Sequence, residues 1–102
     1  MLELRPNCEC CDKDLPPDST EAYICSYECT FCHDCVEQRL SNVCPNCGGG
    51  FSPRPIRPVK GYREGVGLEH HPASSLRVHT AYSDAELSEF SALIKATEPS
   101  KR

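Results

Sequence analysis

Tryptophan is absent from this 102-residue chain, methionine occurs once and phenylalanine three times. The large apolar side chains of the first half are few: Leu2, Leu4, Leu15, Tyr23, Ile24, Tyr27, Phe31, Val36, Leu40, Val43 and Phe51. A core that thin does not offset the backbone entropy of about 50 residues without some form of staple. Long apolar runs are also missing. Nothing approaches the roughly 18 consecutive apolar residues of a membrane span, so no membrane association is expected. The opening Met1–Pro6 has an acidic residue third and no apolar h-region, so a secretory leader is not expected either. Together these lacks predict a cytoplasmic chain whose thiols stay reduced.

What the chain has in excess is cysteine. All nine lie between Cys8 and Cys47, and eight fall into pairs: Cys8/Cys11, Cys25/Cys29, Cys32/Cys35 and Cys44/Cys47. An odd total in a reducing compartment speaks against structural disulfides. A C-x-x-C turn converges two thiolates on one tetrahedral ion, with Zn–S distances of about 2.3 Å, and two such pairs close one site. Four pairs therefore predict two structural zinc ions, each held by four cysteines. Structural zinc returns on the order of 10–16 kcal/mol of apparent binding energy as folding energy, which supplies the missing staple.

Charge is unevenly divided. Residues 1–52 carry three basic and nine acidic side chains, net −6, whereas residues 53–102 carry eight basic and six acidic, net +2. Each zinc bound by four thiolates adds a formal −2 to the first half. Such a surface repels phosphate backbones, so nucleic acid is an unlikely partner class.

Along the chain, Leu2 and Leu4 alternate with Glu3 and Arg5, a short strand signal. Pro6-Asn7 turns into a first cysteine knuckle, and Asp12–Ser19 reads as a loop around Pro16-Pro17. Glu21–Cys25 is rich in β-formers and predicts a hairpin that returns through Cys29 to Phe31. Val36, Leu40 and Val43 then mark one face of a helix placed at 33–41, ended by Pro45 and the Gly48–Gly50 run. Beyond Phe51, Pro53, Pro55 and Pro58 favour an extended conformation in which Arg54, Arg57, Lys60 and Arg63 line one edge. This basic strip reads as a solvated linker or as a strip lying on an acidic surface. Residues 64–82 have no period. Ser83 and Glu86 form a capping box opening a helix at 84–96, with Leu87, Phe90 and Ile94 as its apolar stripe. A helix that short is marginal alone and needs something to dock on.

The full spacing, C-x2-C-x13-C-x3-C-x2-C-x2-C-x8-C-x2-C, resembles the cross-braced RING finger, as do Phe31-Cys32-His33-Asp34-Cys35-Val36 and Cys44-Pro45-Asn46-Cys47. That resemblance implies that the first and third pairs share one zinc, Cys8, Cys11, Cys32 and Cys35. The second and fourth would share the other, Cys25, Cys29, Cys44 and Cys47. A knuckle, a hairpin and a ligand pair at a helix start is also the treble-clef order around one ion, where helix N-terminal amides favour thiolates. The chain departs from working ubiquitin ligases: Cys29 stands where most carry histidine, Cys10 fills an apolar contact position, and Gly48 follows the last ligand where a basic residue is common. Residues 1–55 are similar to a family of short bacterial proteins of unknown function. Its members share the Met-Leu-Glu-Leu-Arg-Pro-x-Cys-Glu-x-Cys opening, Leu-Pro-Pro, Ile-Cys-Ser-Tyr-Glu-Cys-Thr-Phe-Cys and Cys-Pro-Asn-Cys-Gly-Gly.

The remaining candidates carry less. Cys10 reads as a spare buried thiol, an exchangeable ligand or a redox-sensing thiol. His33 reads as helix surface, although it lies between two ligands, and His70, His71 and His79 lack metal-site spacing. The expectation is a small metal-stabilised α+β domain, treble-clef or RING-like, at 1–52, a basic proline-rich linker and irregular segment at 53–82, and a short amphipathic helix with the C-terminus at 83–102. Its expected role is a non-catalytic zinc-binding module for protein–protein interaction. The alternatives are a thiol-based redox or zinc sensor and a ubiquitin-ligase-like adaptor.

Overall fold

The computed structural model describes all 102 residues. The β-rich stretch around Tyr23 forms the expected hairpin: β1 (Ala22–Ile24) pairs antiparallel with β2 (Thr30–Cys32), Tyr23 opposite Phe31. Glu28, with φ 67°, turns the chain back, and its N–H donates to the Cys25 carbonyl at 3.0 Å. A third strand, β3 (Ser52–Pro53), pairs antiparallel with β1 and completes a sheet of order β2-β1-β3. Proline is tolerated there because β3 is an edge.

Leu2 and Leu4 form no strand. The N-terminal stretch instead buries Leu4 in the interior at 2% exposure and leaves its neighbours at the surface. The first knuckle is pinned by a bridge between Asn7 and Asp14 and by the Cys8 N–H donating to the Lys13 carbonyl at 2.9 Å.

Directly after β2 the chain enters α1 (His33–Gln38). The expected face is buried through Val36, Leu40 and Val43, but the helix ends earlier than position 41. Ser41 and Asn42 adopt φ of 50° and 58°, a left-handed pair that turns the chain out of the helix. Phe31, Leu15 and Leu40 pack among the cysteines in the interior, with Phe51 set edge-on to Phe31 at 5.3 Å.

The 53–82 segment has little regular structure, yet it is bound to the module at both ends, with an exposed loop between. Arg54 is buried and donates to the carbonyls of Arg5, Leu15 and Pro16, while Arg57 donates to those of Leu2 and His71. Lys60 and Arg63 remain exposed. The strip is thus divided: its first two members cap backbone carbonyls, and none lies on a carboxylate. Further on, Asn7 and Val78 exchange amide hydrogen bonds, the Thr80 N–H donates to the Glu9 carbonyl, and Arg77 pairs with Asp12 and Asp14.

The second helix, α2 (Asp84–Ile94), opens on the expected capping box. It stops two residues before the expected 96, with Lys95 as its C-cap. Leu87 is buried in the same cluster as Phe31 and the cysteines, and Ile94 Cδ1 lies 3.5 Å from where a Cβ on Gly48 would stand. A final 3-10 turn (Pro99–Lys101) brings Arg102 to the carbonyls of Asn42 and Gly48. No helix is long and apolar enough to cross a membrane.

Candidate metal centre

Four sulfurs meet where the first knuckle faces the start of α1. Cys8 and Cys11 come from the knuckle, where the Cys11 N–H donates to Cys8 Sγ at 3.5 Å; Cys32 ends β2 and caps α1, and Cys35 lies in its first turn. All four ligand atoms lie within 4.8 Å of one another. Cys11 Sγ and Cys32 Sγ are 3.7 Å apart. Zn–S bonds of about 2.3 Å in a tetrahedron place sulfurs about 3.8 Å apart, so the donors fit a zinc ion. Three of the four cysteines are buried and Cys11 is exposed.

A second cluster joins Cys25, at the hairpin tip, to Cys44 and Cys47, whose sulfurs also lie within 4.8 Å of one another. Backbone N–H groups point at these sulfurs: Tyr27 donates to Cys25 Sγ at 3.3 Å and Gly49 to Cys47 Sγ at 3.4 Å. Gly48, at φ 79°, lets its own N–H reach back to the Cys44 carbonyl at 2.7 Å. Cys29, expected as the fourth ligand, stands outside the cluster. Its buried thiol has the Asn46 amide and Cys25 as polar neighbours. The four-cysteine expectation for this site is therefore met by three sulfurs. All nine cysteines are free of disulfides.

Burial pushes the Cys32 thiol up to about 11, with further upward pressure from Cys8 against hydrogen bonds from Cys35 that favour the thiolate. Cys35 and Cys44 are raised further, again chiefly by burial and then by neighbouring thiols. Cys11 is lowered: burial opposes this, but the Lys13 backbone and its hydrogen bonds with Cys32, Cys8 and Cys35 outweigh it. At Cys32, Cys35 and Cys44 burial and the repulsion that neighbouring thiolates would exert both oppose ionisation, and a bound cation would offset both.

Neither histidine nor Cys10 enters a cluster. His33 pairs with Glu37 at 2.9 Å and lies against Tyr23, which makes it helix surface. Cys10 is buried and accepts from Arg39 Nη1 at 3.6 Å. The residue that spacing alone misses is Glu9. It sits inside the first knuckle at 3% exposure. One carboxylate oxygen accepts from the Thr30 N–H at 3.0 Å and from Arg5 Nη1 at 3.1 Å, and the other from Asn46 Nδ2 at 3.2 Å. Asn46 lies between Cys44 and Cys47, so this carboxylate ties one cysteine cluster to the other. A glutamate between ligands, with arginine four residues before it, is the only sequence signal of that role.

The crossing of the first knuckle with Cys32 and Cys35 sits within the stretch that aligns with known relatives. A family model described as a protein of unknown function, DUF1272, matches residues 1–57. The chain belongs to the DUF1272 family. The matched residues include both clusters, Glu9, β3, Arg54 and Arg57. Among its relatives is an uncharacterised protein of Rhizobium meliloti (strain 1021), 56% identical over 78 residues that cover 76% of this chain and 86% of that protein. No solved structure matches.

Proposed function

We propose that this DUF1272 chain is a cytoplasmic, non-catalytic zinc-binding module for protein–protein interaction, built on a RING-like, treble-clef cross-brace. The observation that carries the reading is that Cys8 and Cys11 gather with Cys32 and Cys35, across the sequence, and not with the nearer Cys25 and Cys29. In this reading Cys29 turns its side chain from Asn46 to join Cys25, Cys44 and Cys47. Bound zinc would supply four-way crosslinks that stand in for the thin apolar core. Four thiolates leave no coordination place for water or substrate, which supports a structural and not a catalytic ion. The acidic metal half favours a protein partner over nucleic acid.

A thiol-based sensor is the second reading. It is favoured by the exposure of Cys11 and Cys47, one in each cluster, where an oxidant meets a ligand first. Metal analysis and X-ray absorption on chain purified under reducing conditions test the main proposal. The expected result is two zinc ions per chain with sulfur as the sole ligand type. One ion, or a nitrogen ligand, overturns it.

A further inference from the structure

The outer face of α2 leaves an apolar groove against the second knuckle, about 290 Å³ in volume. Pro45, Tyr82, Phe90 and Leu93 line it, and Glu86 and Glu89 stand at its rim. Leu93 is 80% exposed and Tyr82 46%, which is a large apolar presentation for a chain with so few large side chains. Glu89 has no cationic partner, and α2 carries no basic residue in its last turn.

The same chain displays the opposite chemistry on the loop after β3. Val59 and Tyr62 are 71% and 76% exposed, and between and beside them Lys60 and Arg63 make no ion pair. The loop is held in shape from below: the Leu68 N–H donates to the Pro58 carbonyl at 2.8 Å, and Arg57 anchors its base to Leu2 and His71. A preformed loop loses less freedom on docking than a disordered one.

We propose that the groove on α2 receives the 59–63 loop of a second copy of this chain. Tyr62 and Val59 fill the apolar floor, and Lys60 and Arg63 meet Glu86 and Glu89. The contact joins two different patches, so a reciprocal exchange of loops makes a closed two-fold pair, whereas a one-way contact continues head to tail. It is small and partly ionic, which makes it weak and salt-sensitive. The inference names one partner for the interaction role proposed above and rests on that reading.

Sedimentation of the zinc-loaded full chain over rising concentration tests it, with zinc content measured on every sample. The expected result is a mass that increases with concentration in low salt and falls back with added salt. Leu93→Asp and Tyr62→Ser alter exposed side chains and should each weaken the association about tenfold or more, a loss of about 1.4 kcal/mol, without loss of zinc. Glu89→Lys should weaken it as well, and mixing that chain with a Lys60→Glu, Arg63→Glu chain should restore it. A wild-type chain that stays monomeric at millimolar concentration overturns the proposal, as does association that both exposed-residue variants leave unchanged. Either result, obtained on a chain holding its full zinc, leaves the metal-module reading standing and removes the 59–63 loop of a second copy as the occupant of the groove.

Discussion

Glu9 is the residue on which the two clusters depend together. Its buried carboxylate accepts from the buried Thr30 N–H, the half-buried Arg5 guanidinium and the amide of the exposed Asn46. Glu9→Ala leaves the buried Thr30 N–H without its acceptor, at a cost of about 1–3 kcal/mol, whereas Arg5 keeps Glu3 and the exposed Asn46 can turn to water. Glu9→Gln keeps the shape, loses the charge pair and should be milder. Urea melts of the zinc-loaded chain should rank wild type above Glu9→Gln and Glu9→Ala lowest; equal midpoints would show that the carboxylate ties nothing together. The cysteines themselves set a pH dependence. In the metal-free chain the raised Cys32 thiol contributes stability below its ordinary 9.0 and loses it as the pH climbs through about 11. Zinc binding would reverse that sign, because only the thiolate is a ligand, and a loaded form should weaken as the pH falls. Adding zinc to the reduced chain at neutral pH should release about one proton per coordinated sulfur, read with an indicator dye. Binding without proton release would contradict the protonated state of the buried thiols.

At the scale of elements, α2 shows how local signals and packing divide the work. Ser83 and Glu86 close the capping box in both directions, and Ser83→Ala should cost about 1 kcal/mol. That box starts the helix, but Leu87 holds it, buried at 4% against the cysteine core. Amide exchange is expected to show protection across α2, lost in Leu87→Asp while the β1–β2 hairpin stays protected. Unprotected amides in the wild-type helix would mean that it does not dock. The apolar period made both helices legible, and for α2 the capping box did so as well, because those signals lie within a few residues of one another. The end of α1 was less so: nothing in Ser41-Asn42 demands the left-handed pair that turns the chain away. β3 is two residues long and contains proline, so its pairing exists only because β1 offers an edge.

At the scale of the whole molecule, the uneven charge of the two halves is resolved in a way that composition does not reveal. Arg54 spends its charge on three backbone carbonyls in the interior, and burial lowers its pKa. Arg77, with no special spacing, is the residue that meets the acidic first knuckle through Asp12 and Asp14. Segment 74–80 thus covers the knuckle although it has no period of its own, and contacts of that kind are invisible in sequence because each depends on residues about 60 to 70 positions away. The cysteine spacing was legible for the opposite reason, since C-x-x-C is a local instruction. Pairing the pairs is not local, and on it the account depends most. Cadmium–proton NMR of the doubly cadmium-substituted chain reads it directly, by showing which cysteines share an ion. The account predicts one ion correlated with Cys8, Cys11, Cys32 and Cys35 and a second with Cys25, Cys29, Cys44 and Cys47. A single ion correlated with Cys8, Cys11, Cys25 and Cys29 would contradict it.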